Sequence, residues 1–360
     1  MSAVAAPAPR KGMPSPELDE ATFKQRYLQQ FRDPGYEPLQ GELARIAEAA
    51  WQAYSAGRKA PQTRKAGPEF ADPDYDLSVD WLAARDAIKA AQQRHDDKTG
   101  PDRFLLINGS SRSEHTCPGE MSKTWRLLEI ARQILEGEGG QVQVLDLARL
   151  ASEYGRRIYP CKACFSTAAP LCHWPCSCYP NHGLGQTQDW MNDIFPLWIE
   201  AHGVLLLTPV NWFHSSSSMK LMIDRLVCAD GGNPDPTLTQ GKDAAKAKQI
   251  EMAGWHYPRP LAGRRFGVVV HADAEGAENL RRQLADWLST MGLESAGTKA
   301  ELDRYVGYWE PYATNHQALD ADAAFQQEVR NVALLLSRSV RDWRSGRLPA
   351  ARSLELPRDK

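Results

Sequence analysis

The sequence lacks an excess of charge of either sign. Its 43 basic side chains stand against 45 acidic ones, so the formal net charge is only -2. Wrapping nucleic acid or docking on an anionic membrane requires a basic surplus, so neither partner is expected. The sequence also lacks an apolar run that approaches the length of a membrane span, roughly 18 residues. Its N-terminus lacks the apolar segment of a signal peptide. We therefore expect a cytoplasmic protein.

The sequence lacks several short catalytic and nucleotide-binding patterns. The loop after the first predicted strand contains neither GxGxxG nor GxxxxGK[ST], which argues against an ordinary dinucleotide fold and an NTPase. The histidines show neither HExxH nor another short zinc pattern. Core or surface roles are expected for them, and contact with a bound ligand is the alternative for His214 and His271. No catalytic side chain is predicted.

What the sequence does contain is an apolar fraction of 42%, enough for a sizeable core. Composition and periodicity divide the chain into four parts. Residues 1–17 are rich in Ala and Pro and are predicted to form a disordered tail, and residues 18–100 a helical N-terminal extension. Residues 101–345 are predicted to form an α/β domain with a cysteine-rich insertion at 155–183. Residues 346–360 are a predicted C-terminal tail.

Short apolar runs alternate with amphipathic helices from Arg103 onward. This pattern predicts a doubly wound, five-stranded parallel sheet of the α/β class. Right-handed crossovers would place the loops after the strands on one edge, where such sheets bind ligands. The predicted strands are 104–109, 141–147, 204–209, 265–272 and a weak fifth near 294–299.

Two of the loops after strands have distinctive compositions. GSSRSEHT (109–116) combines hydroxyl groups with one guanidinium just before a helix, which is typical of a site for a monophosphate. An ordinary polar loop with a Ser helix cap is the alternative. TPVNWFHSSSSMKLMIDR (208–225) places two aromatic side chains where they can flank a planar ring. Packing of these aromatics under a loop is the alternative.

These two loops and the spacing between them resemble the NADPH-dependent FMN reductase family and its iron-sulfur flavoprotein and quinone reductase relatives. The resemblance covers about residues 103–293 and implies a flavodoxin-like fold that binds FMN. It also implies that the first loop binds the phosphate, that the second holds the ribityl chain and the isoalloxazine, and that a third, His271–Gly276, lies beside the flavin. The implied cofactor-binding residues are Ser110, Ser111, Arg112, Ser113, Thr116, Pro209, Val210, Asn211, Trp212, Phe213, Asp273 and Gly276.

The insertion CKACFSTAAPLCHWPCSC (161–178) holds five of the seven cysteines. Clustered thiols in a reducing compartment are more often metal ligands or redox groups than disulfides. Iron-sulfur flavoproteins place a compact cysteine group after the second strand, which makes Cys161, Cys164, Cys172 and Cys176 candidate cluster ligands. The irregular spacing leaves a zinc site, a thiol pair and inert packing as alternatives.

The resemblance implies an enzyme that takes a hydride from NADPH or NADH and passes electrons to a flavin, a quinone or another small acceptor. The flavin supplies the redox chemistry, so no catalytic triad or carboxylate pair is needed. It also implies a homo-oligomer. The alternatives are a non-catalytic electron carrier or redox sensor with FMN and a cysteine-bound iron-sulfur cluster, and an interaction protein without flavin.

Overall fold

Helices and strands alternate along the chain as the α/β pattern predicts. The computed structural model describes residues 17–115, 120–311 and 314–347, so the predicted tail 1–17 lies almost wholly outside the described residues. In chain order the elements are α1 (Glu20–Leu28), α2 (Gln40–Ser55), β1 (Thr63–Lys65), β2 (Asp76–Ser78), α3 (Val79–Asp96), β3 (Arg103–Asn108), α4 (Lys123–Gly137), β4 (Gln141–Asp146), α5 (Arg149–Ser152), α6 (Met191–Glu200), β5 (Gly203–Pro209), α7 (Ser217–Leu226), α8 (Ala244–Met252), β6 (Arg265–Ala272), α9 (Ala277–Thr290), β7 (Glu294–Ser295), β8 (Glu301–Tyr305), α10 (Asn315–Ala321) and α11 (Ala323–Arg344). Of the helices in these ranges, none is both long and apolar enough to cross a membrane.

The central sheet is parallel and has the flavodoxin-like strand order. Strands follow each other as β4-β3-β5-β6, and both β7 and β8 pair with β6. The order reverses at β3, whose two neighbours are β4 and β5. Ligands bind such sheets beyond the carboxyl ends of the strands at this reversal. The predicted fold class is therefore confirmed.

Both faces of the sheet are covered by helices because its strands are apolar on both sides. In β3, Leu105 and Ile107 face a core shared with α6 and α9, whereas Phe104 and Leu106 face a second core shared with α4 and α11. The alternation follows from the period of two along a strand. All eight residues of β6 are buried, as expected for an interior parallel strand.

Two details of the predicted architecture were wrong. The sheet has six strands rather than five in the described residues, because the strand predicted near 294–299 is the two-residue β7, followed by the longer β8. β8 is an edge strand in which only Leu302 is buried, so it lacks an apolar alternation. The N-terminal extension, predicted to be helical, also contains the two short strands β1 and β2, which pair antiparallel.

The N-terminal extension is joined to the sheet by two imidazole rings. His202 Nδ1 accepts a hydrogen bond from the Arg103 N–H at 2.9 Å, so the neutral ring carries its proton on Nε2, which lies 2.9 Å from the His95 carbonyl oxygen. The His95 ring lies 4.8 Å from that of His202, and its Nδ1 is 3.1 Å from the Ala201 oxygen. Helix α3 is thereby connected to the starts of β3 and β5. The domain boundaries at 100 and 345 stay predictions.

We expect this pair to make stability depend on pH. Burial lowers the pKa of His95 and of His202 to about 4. Both rings protonate near pH 6.5 in the unfolded chain, so the unfolded state takes up protons first as the pH falls. The free energy of unfolding should be fully retained above about pH 6.5 and drop by on the order of 3 kcal/mol by pH 4.

Urea denaturation at several pH values in this range measures the slope of the free energy of unfolding against pH. His202→Gln should flatten it, whereas His256→Gln should leave it unchanged because His256 is exposed. A slope that is the same in wild type and His202→Gln would contradict the assignment.

Candidate functional site

The loop after β3 is held close to β5 by backbone contacts. The Gly109 N–H donates to the Leu207 oxygen at 2.7 Å, and a Cβ at Gly109 would lie 2.7 Å from Thr208 Oγ1 and 2.9 Å from Met219 Cε. Only glycine fits this contact without displacing its neighbours. Ser110, 2% exposed, accepts the Arg112 N–H on its Oγ at 3.1 Å. The loop is therefore folded tightly against the sheet edge.

The first turn of α4 faces this loop. Ser122 caps the helix by accepting the Trp125 N–H at 3.1 Å, and Lys123, 8% exposed, donates from Nζ to the Val306 carbonyl oxygen at 3.0 Å. Lys123 also forms an ion pair with Asp273. The free N–H groups and positive end of a helix of 15 residues, together with the lysine, favour an anion here.

A buried histidine lies directly behind this helix turn. His271 Nε2 is 2.8 Å from Thr124 Oγ1, while its buried Nδ1 has no hydrogen-bond partner among the described residues. Burial, assisted by the nearby charge of Lys123, lowers the pKa of His271 to about 3. The ring is therefore neutral at ordinary pH and adds no charge to the site.

The loop, the helix turn and the ends of β5 and β6 enclose a cavity of about 220 Å³. Hydroxyl groups, one ammonium and one guanidinium dominate its wall. Its lining residues are Ser110, Arg112, Ser122, Lys123, Thr124, Pro209, Val210, Asn211, His271, Ala272, Asp273, Asn315 and His316. We call it the edge cavity.

The C-terminal segment contributes the last part of this wall. Asn315 at the start of α10 is 4% exposed and lines the edge cavity. His316 Nδ1 lies 3.2 Å from Glu120 Oε2. Asn315 and His316 therefore complete the cavity wall from beyond the last strand.

The loop after β5 ends in a tight turn with strained aromatic residues. Asn211 and His214 exchange two backbone hydrogen bonds of 2.8 and 3.1 Å, and the residues between them, Trp212 and Phe213, have φ values of 47° and 68°. Positive φ is rare for bulky side chains and is retained chiefly at functional positions. Trp212 is 92% exposed, whereas a Cβ at Gly276 would lie 3.5 Å from the Phe213 ring. The second and third loops are therefore adjacent.

The structure brings together half of the predicted cofactor-binding residues. Ser110, Arg112, Pro209, Val210, Asn211 and Asp273 line the edge cavity. Ser111 instead lies 2.8 Å from the Ser218 hydroxyl, and Ser113 lines a neighbouring cavity of about 420 Å³ that also contacts Arg112. Trp212, Phe213 and Gly276 lie on the adjoining turn rather than in the cavity wall. Thr116 lies outside the described residues.

Sequence reasoning missed several residues of the wall. The Ser-Lys-Thr triplet that opens α4 carries a helix-cap signal, so Ser122, Lys123 and Thr124 were available from the sequence. Asn315 and His316 gave no such signal, because only the pairing of β8 with β6 brings α10 to this edge.

The four candidate metal-ligating cysteines do not form a ligand set. Among the residues that the structure describes, no group of three or more His, Cys, Asp or Glu side chains could hold a metal ion. Cys172 and Cys176 are buried. The Cys164 sulfur lies 3.4 Å from the sulfur of Cys178, which is not one of the four predicted ligands. The geometry gives no support to an iron-sulfur cluster on Cys161, Cys164, Cys172 and Cys176.

Residues 103–300, more than half of the chain, match the family described as NADPH-dependent FMN reductase. The chain belongs to this family. Membership identifies it as an FMN-dependent NAD(P)H oxidoreductase and confirms the family inferred from the two loops. No curated protein matches the chain.

Solved structures are similar to this FMN reductase family member over only part of its length. A structure of RosB with a bound 8-demethyl-8-formylriboflavin-5'-phosphate intermediate is 14% identical, with 71% of this chain and 96% of that chain covered and a TM-score of 0.46. A flavone reductase is also 14% identical, with 67% and 64% covered and a TM-score of 0.38. A WrbA-like flavodoxin from Agrobacterium tumefaciens is 9% identical, with 68% and 99% covered and a TM-score of 0.35. The assignment of the fold therefore depends on the strand order described above.

Proposed function

We propose that this chain binds FMN across the edge cavity and the adjoining aromatic turn, accepts a hydride from NADPH or NADH, and passes electrons to a flavin, a quinone or another small planar acceptor. The observation that carries the proposal is the edge cavity itself, a hydroxyl-rich and cationic pocket at the point where the strand order reverses. Bound FMN supplies the hydride-accepting ring, so the side chains serve to bind and orient it.

The residues present fit the phosphate end of FMN. Lys123, Arg112 and the first turn of α4 supply positive charge, while Ser110, Ser122 and Thr124 supply hydroxyl groups at the same wall. Charge-assisted hydrogen bonds of this kind are the strongest that a phosphate receives. Asn315 adds a side-chain amide to this wall from outside the family domain. We assign these groups to the phosphate and the adjoining ribityl chain.

The aromatic turn fits the ring end. Val210 and Asn211 line the edge cavity where β5 ends, and Phe213 leans on the Gly276 turn next to them. Trp212 remains uncovered at the tip. An exposed indole held in a strained backbone conformation is suited to cover one face of a planar ring. We propose this role for Trp212 and Phe213, and the homo-oligomer stays a prediction.

An absorbance spectrum of purified protein incubated with FMN, followed by gel filtration, tests the proposal. We expect retained flavin absorbance and steady NAD(P)H oxidation when a quinone or free flavin is added. Protein that retains no flavin and oxidises no NAD(P)H overturns it. Flavin retention without turnover favours the electron-carrier alternative.

Replacing Trp212 by glycine should separate stability from binding. Glycine adopts positive φ without strain, so Trp212→Gly should raise the free energy of unfolding by about 1 kcal/mol although a large side chain is lost. The same variant should bind FMN several-fold more weakly. Urea denaturation and flavin fluorescence titration measure the two quantities.

Trp309 provides the matched control because it is 89% exposed and is not among the residues at positive φ. Trp309→Gly should lower the free energy of unfolding slightly, since glycine there adds backbone entropy to the unfolded chain. A loss of stability in Trp212→Gly would rule out stored strain at the turn.

A further inference from the structure

The cysteine-rich insertion contains a close thiol pair. Cys164 and Cys178 are 14 residues apart in sequence, and their sulfur atoms lie 3.4 Å from each other. This is contact distance for two thiols, so a disulfide can form here with a small approach of the two sulfur atoms. The pair is separate from the edge cavity, whose wall contains no cysteine.

The two thiols have different access to solvent. Cys164 is partly exposed at the start of a short helical turn, whereas Cys178 is only 8% exposed. A reagent from solution therefore reaches Cys164 first. Cys178 lies behind it, in contact with the sulfur that would be attacked. This is the arrangement of an attacking and a resolving cysteine.

The ease of ionisation also favours Cys164 as the attacking thiol. The hydrogen bond from Cys178, with Lys242 nearby, lowers the pKa of Cys164 to about 6 against the opposing effect of burial. The pKa of Cys172 is raised by burial, that of Cys228 likewise, and that of Cys176 by its contact with Cys178. Cys164 is therefore better able than Cys172 or Cys176 to react as a thiolate near neutral pH.

Three lysines lie near the pair. Lys242 donates to the Leu171 carbonyl oxygen at 2.7 Å, Lys59 donates to the Ser177 carbonyl oxygen, and the Lys162 ammonium lies 4.9 Å from the centre of the Tyr179 ring. Each of the three ammonium groups contacts the backbone or an aromatic ring of the insertion. An anionic reagent is attracted to such a surface and a cationic one is repelled.

We propose that Cys164 and Cys178 form a reactive dithiol that reduces small anionic disulfides. The Cys164 thiolate attacks one sulfur of the disulfide; a mixed disulfide forms and one thiolate leaves. Cys178 then loses its proton and attacks the Cys164 sulfur, which forms the Cys164–Cys178 disulfide and releases the second thiolate. Two cysteine thiols are oxidised and one external disulfide is reduced to two thiols. The reaction needs neither FMN nor NAD(P)H.

The stoichiometry of the reaction with dithiobis(nitrobenzoate), a dianionic disulfide, tests the proposal. At about pH 8, where both thiols react, the wild type should release two nitrobenzoate thiolates in its fast phase and end with the internal disulfide. Cys178→Ser should release one and retain a mixed disulfide on Cys164. Cys164→Ser should lack the fast phase. Cys161→Ser, a matched control in the same insertion, should behave as wild type.

The rate supplies a second readout that needs no variant. At about pH 6.5 the higher thiolate fraction of Cys164 outweighs its lower intrinsic nucleophilicity, so it should react roughly fivefold faster than an ordinary exposed thiol. The cationic disulfide cystamine should react more slowly than the anionic probe. Peptide mapping of oxidised wild type should show Cys164 joined to Cys178.

Three results would overturn the proposal. One is a fast phase that persists in Cys164→Ser, and another is an oxidised wild type in which Cys164 and Cys178 are not joined. The third is wild-type protein whose thiols react only after zinc or iron is removed by a chelator, since the cysteines would then be metal ligands. Each result leaves the proposed FMN function untouched.

Discussion

Lys123→Met should weaken FMN binding by about 10- to 100-fold, because one charge-assisted hydrogen bond to the phosphate is worth about 1.5–3 kcal/mol. Lys123 lies in the first turn of α4, is almost fully buried, and lines the edge cavity. Its removal also leaves the Asp273 carboxylate facing the phosphate without its cation. Fluorescence titration with FMN measures the change in dissociation constant.

Riboflavin, which has no phosphate, separates this effect from a general loss of folding. The affinity for riboflavin should change little in Lys123→Met, and Lys89→Met should bind FMN as wild type does, because Lys89 pairs with Glu69 on the N-terminal extension. Equal losses of affinity for FMN and riboflavin would show that Lys123 does not hold the phosphate. If wild type itself fails to bind FMN, the proposed function fails instead.

Arg225→Leu should lower the free energy of unfolding by about 3–5 kcal/mol, since it leaves a buried carboxylate without its partner. Arg225 and Asp189 both have fully buried side chains and share two hydrogen bonds, of 2.5 and 3.1 Å. Arg225 also donates to the Tyr159 carbonyl oxygen at 3.0 Å and lies over the Tyr179 ring. It therefore joins α7 to the cysteine-rich insertion as well as to the start of α6.

The double variant Asp189→Leu/Arg225→Leu supplies the comparison. It removes both charges, so it should be markedly more stable than Arg225→Leu, although the Tyr159 carbonyl oxygen loses its donor. Urea denaturation of the three proteins measures the difference. A double variant as unstable as the single one would mean that lost packing, rather than the stranded charge, dominates.

The strength of each apolar pattern explains which strands could be predicted from sequence. The run predicted at 265–272 coincides with β6, because every residue of that interior strand is buried. β8 reads Glu-Leu-Asp-Arg-Tyr and buries only Leu302, so its position at the sheet edge leaves almost no periodic signal. The hairpin of β1 and β2 is similarly short, and all three residues of β1 are exposed.

The residues of the candidate site likewise fall into those that could be predicted from sequence and those that could not. Loops directly after strong strands were predictable, since the hydroxyl-rich and aromatic segments follow β3 and β5 without interruption. The contact between His271 and Thr124 depends on three strands lying side by side, and Asn315 reaches the cavity from beyond the last strand. No local pattern encodes such distances. The thiol pair also requires a folded loop, because the spacing of the cysteines does not single out Cys164 and Cys178.

Helix α11 determines where a functional recombinant fragment must end. The family match stops at residue 300, but the face of the sheet opposite α6 and α9 is covered in part by Phe325, Val329, Val332 and Leu336 of α11. A fragment cut to the family boundaries would expose this apolar face to water and lack one wall of the edge cavity. The segment that matches the family is therefore shorter than the segment needed to complete the core. Expression trials should retain the chain through Arg344.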